Sequence, residues 1–333
     1  MPVNGQCRLA ARPVGLPKPS DWEYVEEPAP EPPDGQVLVR VDYLSVDPAM
    51  RAWMNEGRSY IAPVGIGEVM RAAGIGTVVA SRSEEAHEGA CVQGVFGVQQ
   101  YALATPAGLS PVDTALAPAP VHLGVLGLSG LTAYFGLLEL GRPQPGQTVV
   151  VSGAAGSVGS VVGQIARIKG ARAVGIAGGP QKCEWLTGEL GFDAALDYKA
   201  GDLRGQLRTA APDRVDVFFD NVGGEVLDTV LLRLARGARI VISGAISQYN
   251  ASEPPPGPAN YMQLLVDRAT MAGFVIFDYF KRFGEARAEL AEWLSSGQLR
   301  HHEDIVKAPV SEFPDVLLRL FRGDNVGKLV QAL

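Results

Sequence analysis

Residues 147–170 combine small residues in a spacing that could bind phosphate groups. The segment begins with the β-branched run at residues 148–151, which is typical of a strand buried on both faces. Glycines follow at 153, 156 and 159, and apolar residues then recur at helical spacing. In such a strand–turn–helix unit, the glycines let phosphates approach the backbone, and free N–H groups at the helix start bind their charge. The pattern predicts a dinucleotide-binding corner, although its G-x-x-G-x-x-G spacing also fits an ordinary tight turn.

The predicted strand at residues 171–177 ends without an acidic residue. An NAD site usually has Asp or Glu there, whose carboxylate binds the ribose 2′-hydroxyl. Here the sequence continues with two glycines, Pro180, Gln181 and Lys182. A carboxylate would repel a 2′-phosphate, so its absence and the nearby Lys182 favour NADP. The alternative is that Lys182 is only a solvated residue at the start of the next helix.

Strands and helices alternate through the second half of the chain. The predicted strands are residues 148–151, 171–177, 194–198, 215–220, 238–243 and 270–277. The helices between them include residues 182–190, 203–211 and 224–234. Six strands interleaved with helices predict an α/β fold with a doubly wound parallel sheet of the Rossmann type.

The N-terminal part of the chain is predicted to be an irregular β domain. Residues 36–46 alternate as a half-buried strand should, and further short strands follow without βαβ units. The C-terminal segment has one short strand, a helix over 313–322 and a final strand at 327–331, which is too little to bury its own core. We therefore expect residues 1–121 and 298–333 to form one discontinuous domain, and residues 122–297 to form the dinucleotide-binding domain.

Charge and composition exclude several other classes of protein. The net charge of −7 argues against nucleic acid or an anionic membrane as a general partner. The sequence has no apolar run long enough to span a membrane and no signal-peptide pattern. Cys7, Cys91 and Cys183 are odd in number and widely spaced, which indicates neither a disulfide framework nor a metal site. We expect a cytoplasmic protein.

Six motifs are spread along most of the chain. They are Ser-Val-Asp-Pro-Ala-Met-Arg at 45–51, Gly-Leu-Thr-Ala-Tyr at 130–134, Ala-Ala-Gly-Ser-Val-Gly-Ser-Val-Val-Gly-Gln-Ile-Ala at 154–166, Phe-Asp-Asn-Val-Gly-Gly at 219–224, Gly-Ala-Ile-Ser-Gln-Tyr-Asn at 244–250 and Asn-Val-Gly-Lys at 325–328. Together they resemble the medium-chain dehydrogenase/reductase superfamily, in its zinc-free branch of prostaglandin reductases, alkenal double-bond reductases and bacterial curcumin reductases. The resemblance implies a Rossmann domain joined to a mostly β, GroES-like substrate domain. It also implies NADPH-dependent reduction of the C=C bond of an α,β-unsaturated aldehyde or ketone, by hydride transfer to the β-carbon.

The resemblance further implies which residues bind NADP(H). The pyrophosphate turn would be Gly156, Ser157, Val158 and Gly159. Lys182 and Tyr198 would bind the 2′-phosphate, and Asn221 would face the cofactor. The nicotinamide side would be lined by Ser243, Gly244, Ala245, Ile246, Ser247 and Tyr249, and by backbone groups of Phe274, Val275 and Ile276. Asn325 would close over the cofactor from the C-terminal segment.

The sequence lacks the zinc ligands of related enzymes. Zinc dehydrogenases of this superfamily use a Gly-His-Glu element with further Cys or Asp ligands, and a lobe with four cysteines. Here Gly67 and Glu68 stand without the histidine, and three scattered cysteines cannot fill a four-cysteine site. We predict neither catalytic nor structural zinc.

Without zinc, a hydrogen-bond donor must stabilise the enolate oxygen that develops during reduction. Tyr60 resembles the tyrosine that points at the substrate in the curcumin reductase branch, and Tyr249 is the second candidate. Plant and mammalian relatives carry a tyrosine shortly before the Gly-Phe-Val strand, where this chain has Val266, so their mechanism does not transfer simply. Either tyrosine could instead be a packed aromatic whose hydroxyl is already satisfied.

Two other functions stay open on the sequence alone. One is a quinone oxidoreductase of the sister zinc-free branch, although the long motif at 244–250 favours a double-bond reductase. The other is an NADPH-binding sensor or structural protein without turnover, which the substrate-side motifs disfavour. Relatives dimerise by pairing the edge strands of their nucleotide-binding sheets. We therefore expect a homodimer formed through the predicted strand at 270–277.

Overall fold

The computed structural model describes residues 2–333, which divide into two compact units. One unit comprises the residues up to Leu123 together with Glu303–Leu333, and the other comprises Gly124–His302. The first unit is therefore discontinuous in sequence, because the last segment of the chain returns to it.

Strands and helices are numbered here in chain order. The strands are β1 (Val3–Leu9), β2 (Trp22–Pro28), β3 (Val37–Ser45), β4 (Ala73–Ser81), β5 (Cys91–Val95), β6 (Tyr101–Ala104), β7 (Ser110–Pro111), β8 (Thr148–Ser152), β9 (Arg172–Ala177), β10 (Ala194–Asp197), β11 (Val215–Asp220), β12 (Leu234–Ile242), β13 (Thr270–Gly273), β14 (Glu303–Lys307) and β15 (Lys328–Ala332). The α-helices are α1 (Ala49–Trp53), α2 (Leu128–Phe135), α3 (Ser157–Ile168), α4 (Pro180–Gly188), α5 (Leu203–Ala210), α6 (Gly224–Leu231), α7 (Gln263–Asp267), α8 (Phe283–Ser295) and α9 (Phe313–Arg322).

The first unit is mainly β, as its alternating sequence pattern predicts. Its large sheet has the order β14-β15-β3-β4-β5-β7, with β6 also paired to β3, and β1 and β2 form a separate antiparallel pair. The C-terminal strand β15 lies inside this sheet, parallel to β14 and antiparallel to β3. Alternate residues of β3, including Val37 and Val39, are buried in a core that also contains Phe313 and Leu317 of α9. The C-terminal segment thus completes both the sheet and the core of this unit.

The second unit contains a six-stranded parallel sheet, which confirms the predicted Rossmann fold. The strand order is β10-β9-β8-β11-β12-β13, and every neighbouring pair is parallel. All five residues of β8 are buried, as expected for a strand covered on both faces. Since the strands are parallel, their carboxyl ends share one edge of the sheet, where ligands of such folds bind.

Two C-terminal elements show how far local patterns determine structure. The helix predicted over residues 313–322 is α9, with the same bounds. The strand predicted over 270–277 ends earlier, at Gly273, and Ile276–Arg282 form a 3-10 helix. The Phe274 ring packs edge-on to Tyr279 in that helix, so aromatic contacts replace further strand pairing.

None of the helices within residues 2–333 has both the length and the apolar character that a membrane span requires.

Candidate functional site

The glycine turn after β8 leaves the start of α3 open. Gly153 has a φ of +59°, in the left-handed region that favours glycine. Gly156 precedes the first turn of α3, and no side chain of residues 2–333 caps the helix there. Ser157 Oγ is also buried, with no hydrogen-bond partner among those residues. An anion at this helix start would satisfy donors that the protein leaves unpaired.

Close backbone packing explains the glycine at the third position of the turn. A Cβ at Gly159 would overlap the carbonyl oxygen of Gly153 and lie 2.8 Å from Ala154 Cα. Both are backbone atoms, so the helix could accept a side chain there only by moving away from the turn. Together with the unpaired Ser157 hydroxyl, this close approach makes the turn fit the phosphates of a dinucleotide.

A frame of three residues, Asp197, Tyr198 and Lys199, surrounds Gly178 at the end of β9. A Cβ at Gly178 would lie 2.9 Å from Tyr198 Oη and 3.0 Å from Lys199 Cε. Asp197 Oδ1 accepts hydrogen bonds from the N–H groups of Gly179, at 2.8 Å, and Lys199, at 2.9 Å. Asp197 was not identified from the sequence, because its role depends on the contact between β9 and β10.

The two residues predicted to bind a 2′-phosphate lie in the segments that follow β9 and β10. Lys182 is partly buried in the first turn of α4, and Tyr198 is exposed directly after β10. Because β9 and β10 are neighbouring parallel strands, both segments start at the same edge of the sheet.

A buried carboxylate orders the turn after β11. Asp220 accepts hydrogen bonds from Ser152 Oγ at 2.6 Å and from the N–H groups of Val222 and Gly223, each at 3.0 Å. Burial raises the pKa of the Asp220 carboxyl, while these hydrogen bonds act in the opposite direction. Ser152 Oγ accepts the Asn221 N–H at 2.8 Å, and the Asn221 amide donates to the Ser152 carbonyl at 2.8 Å. Asn221 is thereby fixed where β8 and β11 end.

The loop after β12 is bonded to the same turn. The N–H groups of Ser243 and Gly244 donate to the Asp220 carbonyl at 2.8 and 3.2 Å, and the Ile246 N–H donates to the Asn221 carbonyl at 3.2 Å. The structure therefore brings the loop residues next to Asn221.

Side chains hold the rest of this loop in place. Ser247 Oγ donates to the Val222 carbonyl at 2.6 Å. Tyr249 Oη accepts the N–H of Ala245 at 3.2 Å, and it would lie 2.9 Å from a Cβ at Gly244. Tyr249 thus contacts its own loop through the hydroxyl that sequence analysis considered for catalysis.

The three residues after β13 leave the sheet at the same edge. The Phe274 ring packs inward, where it would lie 2.6 Å from a Cβ at Gly136. The Val275 carbonyl accepts the Asp278 N–H at 3.0 Å, and Ile276 begins the 3-10 helix. The predicted cofactor residues of the second unit therefore follow the carboxyl ends of β8, β9, β10, β11, β12 and β13.

Tyr60 belongs to the first unit, between α1 and β4. Its side chain is 54% exposed, and its hydroxyl accepts the Trp53 Nε1–H at 3.3 Å. The Arg71 guanidinium lies 5.6 Å from the centre of the Trp53 ring and donates to the Ala62 carbonyl at 2.8 Å. The tyrosine hydroxyl is held as an acceptor in this contact, so its own proton can be donated elsewhere.

Asn325 lies in the C-terminal part of the first unit, just before β15. It is buried, and its amide donates to the Gly327 carbonyl at 3.1 Å. The neighbouring Lys328 is bonded to the Val46 carbonyl and to Asp47. The motifs at 45–51 and 325–328 are therefore in direct contact, which their sequence positions did not reveal.

The structure contains no cluster of metal-ligand side chains in the part that it describes. Within residues 2–333, no three His, Cys, Asp or Glu residues are placed to hold a metal ion. Cys7, Cys91 and Cys183 form no disulfide, and burial raises the pKa of the Cys7 thiol to about 12.

Comparisons with known proteins extend over both units. A family described as the N-terminal domain of oxidoreductase matches residues 5–112, and one described as zinc-binding dehydrogenase matches residues 157–295. The NADPH-dependent curcumin reductase of Escherichia coli is 40% identical over 332 residues, which cover 98% of this chain and 96% of that protein. The NADP(+)-dependent 2-alkenal reductase of Nicotiana tabacum is 36% identical, over 98% of this chain and 96% of its own.

A solved structure gives the same result. The crystal structure of CurA from Vibrio vulnificus in complex with NADPH superposes with a TM-score of 0.93 and 41% identity, covering 98% of both chains. The chain belongs to the medium-chain dehydrogenase/reductase family. Within this family, its motifs and relatives place it in the zinc-free branch of prostaglandin, alkenal and curcumin reductases.

Proposed function

We propose that this medium-chain reductase uses NADPH to reduce the C=C bond of α,β-unsaturated aldehydes and ketones. The observation that carries the proposal is the likeness to the NADPH-dependent curcumin reductase, which extends over 98% of the chain. It includes the motifs of the first unit as well as the nucleotide-binding sheet. It therefore supports a shared reaction and not only a shared cofactor fold.

The residues of the second unit fit NADP(H). We assign the pyrophosphate to the turn at Gly156, Ser157, Val158 and Gly159, and the 2′-phosphate to Lys182 and Tyr198. The nicotinamide side is assigned to Asn221, the loop at 243–249 and the backbone of residues 274–276, and Asn325 is also assigned to cofactor binding. When bound, NADPH supplies the hydride that the β-carbon of the substrate accepts.

Tyr60 is the residue that we assign to the substrate carbonyl. Negative charge develops on that oxygen as the β-carbon is reduced, and a donated hydrogen bond stabilises it. Since the Tyr60 oxygen accepts the Trp53 N–H, its own proton is free to be donated, and the contact polarises the hydroxyl in the direction that strengthens this bond. A proton then adds to the α-carbon to complete the reaction.

Tyr249 is assigned a different role. Its hydroxyl accepts the Ala245 N–H, so removal of the hydroxyl would loosen the loop assigned to the nicotinamide. We assign Tyr249 to positioning of this loop because the hydrogen bond joins its hydroxyl to a residue of the loop itself.

One assay separates this function from the alternatives. NADPH oxidation is measured with 2-alkenals, enones, curcumin-like diketones and quinones, and the products are identified by mass. We expect saturated aldehydes and ketones as products. Turnover of quinones alone would make the protein a quinone oxidoreductase, and NADPH binding without any turnover would make it a sensor or a structural protein.

The proposal includes a homodimer that forms at the β13 edge. β13 is the last strand of its sheet, so one side of it lacks a strand partner among residues 2–333. Large apolar side chains near it in sequence are exposed, with Leu265 at 70% and Phe280 at 71%. An exposed strand edge beside apolar side chains favours pairing with a second copy.

The cytoplasm is the proposed location. The absence of disulfides among the three cysteines supports a reducing compartment. Cell fractionation tests this assignment, and recovery outside the cytoplasm would contradict it.

A further inference from the structure

The frame around Gly178 places a second cation where an NAD enzyme would have an acidic residue. We propose that Lys199 binds the 2′-phosphate of NADPH together with Lys182 and Tyr198, and so contributes to cofactor specificity. The inference rests on the proposed use of NADPH and adds a residue that the family resemblance does not assign.

The backbone N–H of Lys199 is hydrogen-bonded, and Gln206 holds the chain before and after it, at Asp197 and Gly201. The Lys199 N–H donates to Asp197 Oδ1, the same oxygen that accepts the Gly179 N–H. The Gln206 side chain holds this segment through three hydrogen bonds. It accepts the Asp197 N–H at 3.0 Å, and it donates to the Asp197 carbonyl at 3.0 Å and to the Gly201 carbonyl at 2.7 Å. The position of Lys199 relative to the end of β9 therefore does not depend on a flexible loop.

The side chain of Lys199 extends over the bare Cα of Gly178. Its Cε lies 3.0 Å from the place of a Cβ at that glycine, and Tyr198 Oη lies 2.9 Å from the same place. A larger residue at 178 would displace both side chains. The Lys199 ammonium is one bond beyond Cε, so an ammonium and a phenol hydroxyl lie close together at the end of β9.

The Lys199 ammonium is not committed to a protein partner. Lys199 is exposed, and its hydrogen bond to Asp197 Oδ1 comes from the backbone N–H and not from the ammonium. Asp197 is the adjacent carboxylate, but its Oδ1 is directed to the two backbone N–H groups. The cation is therefore available to an external anion.

A phosphate monoester is the ligand chemistry that matches this pair. At neutral pH it carries close to two negative charges, and it accepts charge-assisted hydrogen bonds from ammonium and hydroxyl groups. The 2′-hydroxyl of NADH is neutral and gains little from the same cation. Lys199 should therefore discriminate between the two cofactors.

Calorimetric titration of the intact protein tests the inference without turnover. For Lys199→Ala, we expect the Kd of NADPH to rise about 10-fold at low salt and the Kd of NADH to change less than about 2-fold. Adenosine 2′,5′-bisphosphate should show the same loss as NADPH, and adenosine 5′-monophosphate should not. Lys199→Arg keeps the charge and should restore most of the affinity, and the effect should shrink as salt screens the contact.

Arg208→Ala is the matched control for net charge. Arg208 is an exposed cation on α5 of the same unit, and its loss should leave both Kd values within about 2-fold. If Lys199→Ala weakens the binding of NADPH and of NADH equally, or weakens the binding of neither, the role of Lys199 is overturned. The preference of the wild type for NADPH would still stand. If the wild type binds NADH as tightly as NADPH, the proposed cofactor fails, and the inference fails with it. Absence of enone turnover would overturn only the proposed substrate.

Discussion

Lys328 Nζ lies 2.6 Å from Asp47 Oδ1, although the two residues are 281 positions apart in the sequence. The lysine side chain is 2% exposed and the aspartate side chain 31% exposed. Lys328 also donates to the Val46 carbonyl at 3.1 Å, and Asp47 accepts a hydrogen bond from Ser45 Oγ. This pair joins the start of β15 to the end of β3 and the start of α1.

The two halves of this ion pair should differ in their effect on stability. Asp47→Ala leaves a buried ammonium with only the Val46 carbonyl, and we expect a loss of about 3–5 kcal/mol in the free energy of unfolding. Lys328→Met leaves a carboxylate that water and Ser45 still reach, and the loss should be about 1–2 kcal/mol. Urea unfolding measures both, with Lys307→Met on β14 as an exposed control. Equal losses, or the reverse order, would contradict this account of burial.

Removing the Tyr60 hydroxyl should slow the chemical step. Tyr60→Phe keeps the ring and removes one donor to the developing enolate, so we expect a loss of up to about 10²-fold in single-turnover reduction of an enone. The Kd of NADPH should stay unchanged. If the rate stays at the wild-type value, the donor is another group.

Trp53→Phe should act only through Tyr60. It removes the N–H that the Tyr60 hydroxyl accepts, and we expect a loss of about 3–10-fold in the same single-turnover rate. In the Tyr60→Phe background, the Trp53 substitution should have almost no further effect, because the contact is already gone. Additive losses in the double variant would show that Trp53 acts on something else. Trp22→Phe, in the same unit but packed against Phe313, is the matched control.

Tyr249→Phe should mainly affect cofactor binding. It leaves the Ala245 N–H without its acceptor and loosens the loop. The Kd of NADPH should therefore rise several-fold, which corresponds to the loss of about one hydrogen bond. The single-turnover rate at saturating NADPH should fall less than in Tyr60→Phe. The opposite result, unchanged affinity with a collapsed rate, would make Tyr249 the donor.

Gly159→Ala should abolish tight NADPH binding. The new methyl group would meet backbone atoms of Gly153 and Ala154 and push α3 away from the turn. Gly188→Ala is the matched control: it ends α4, has no atom within 4 Å of its added Cβ, and should be neutral or slightly stabilising. Titration with NADPH and thermal unfolding of both variants check this, and full affinity in Gly159→Ala would overturn the assigned turn.

Leu265→Lys should convert the proposed homodimer to a monomer. Leu265 is 70% exposed on α7, just before β13, so a lysine there costs the folded chain little but places a charge beside the proposed edge contact. Sedimentation at micromolar concentration measures the change. Val14→Lys, equally exposed at 69% in the first unit, should remain dimeric. A monomeric wild type would refute the proposed dimer itself.

Local patterns predicted most of the fold. The buried run at 148–151, the glycines after it and the amphipathic helix at 313–322 each carry their signal within a few turns of chain. The parallel sheet follows from the alternation of such segments. The local pattern at 270–277 predicted a strand that is longer than the observed one. The pattern carries no information on the packing of the Phe274 ring against Tyr279.

The contacts that shape the candidate site are less visible in the sequence. Asp197 and Gly179 are 18 positions apart, and Lys328 and Asp47 are 281 apart. These hydrogen-bonded pairs depend on how the strands and turns meet in the folded chain. No periodic pattern in the sequence predicts them. The hydrogen bond between Trp53 and Tyr60 spans only seven positions, yet it depends on an irregular turn that no repeating pattern describes.

Because β15 pairs with β3, the first unit cannot complete its sheet until the ribosome has made the residues of β15. At about 5–20 residues per second, the 281 positions between Asp47 and Lys328 take roughly 15–55 s to synthesise. During that interval, residues 43–45 of β3 lack the strand that later covers them, and Asp47 lacks its counter-ion. The second unit is continuous in sequence and can fold as it emerges. The nascent first unit is therefore the part of the chain most exposed to aggregation and to chaperones.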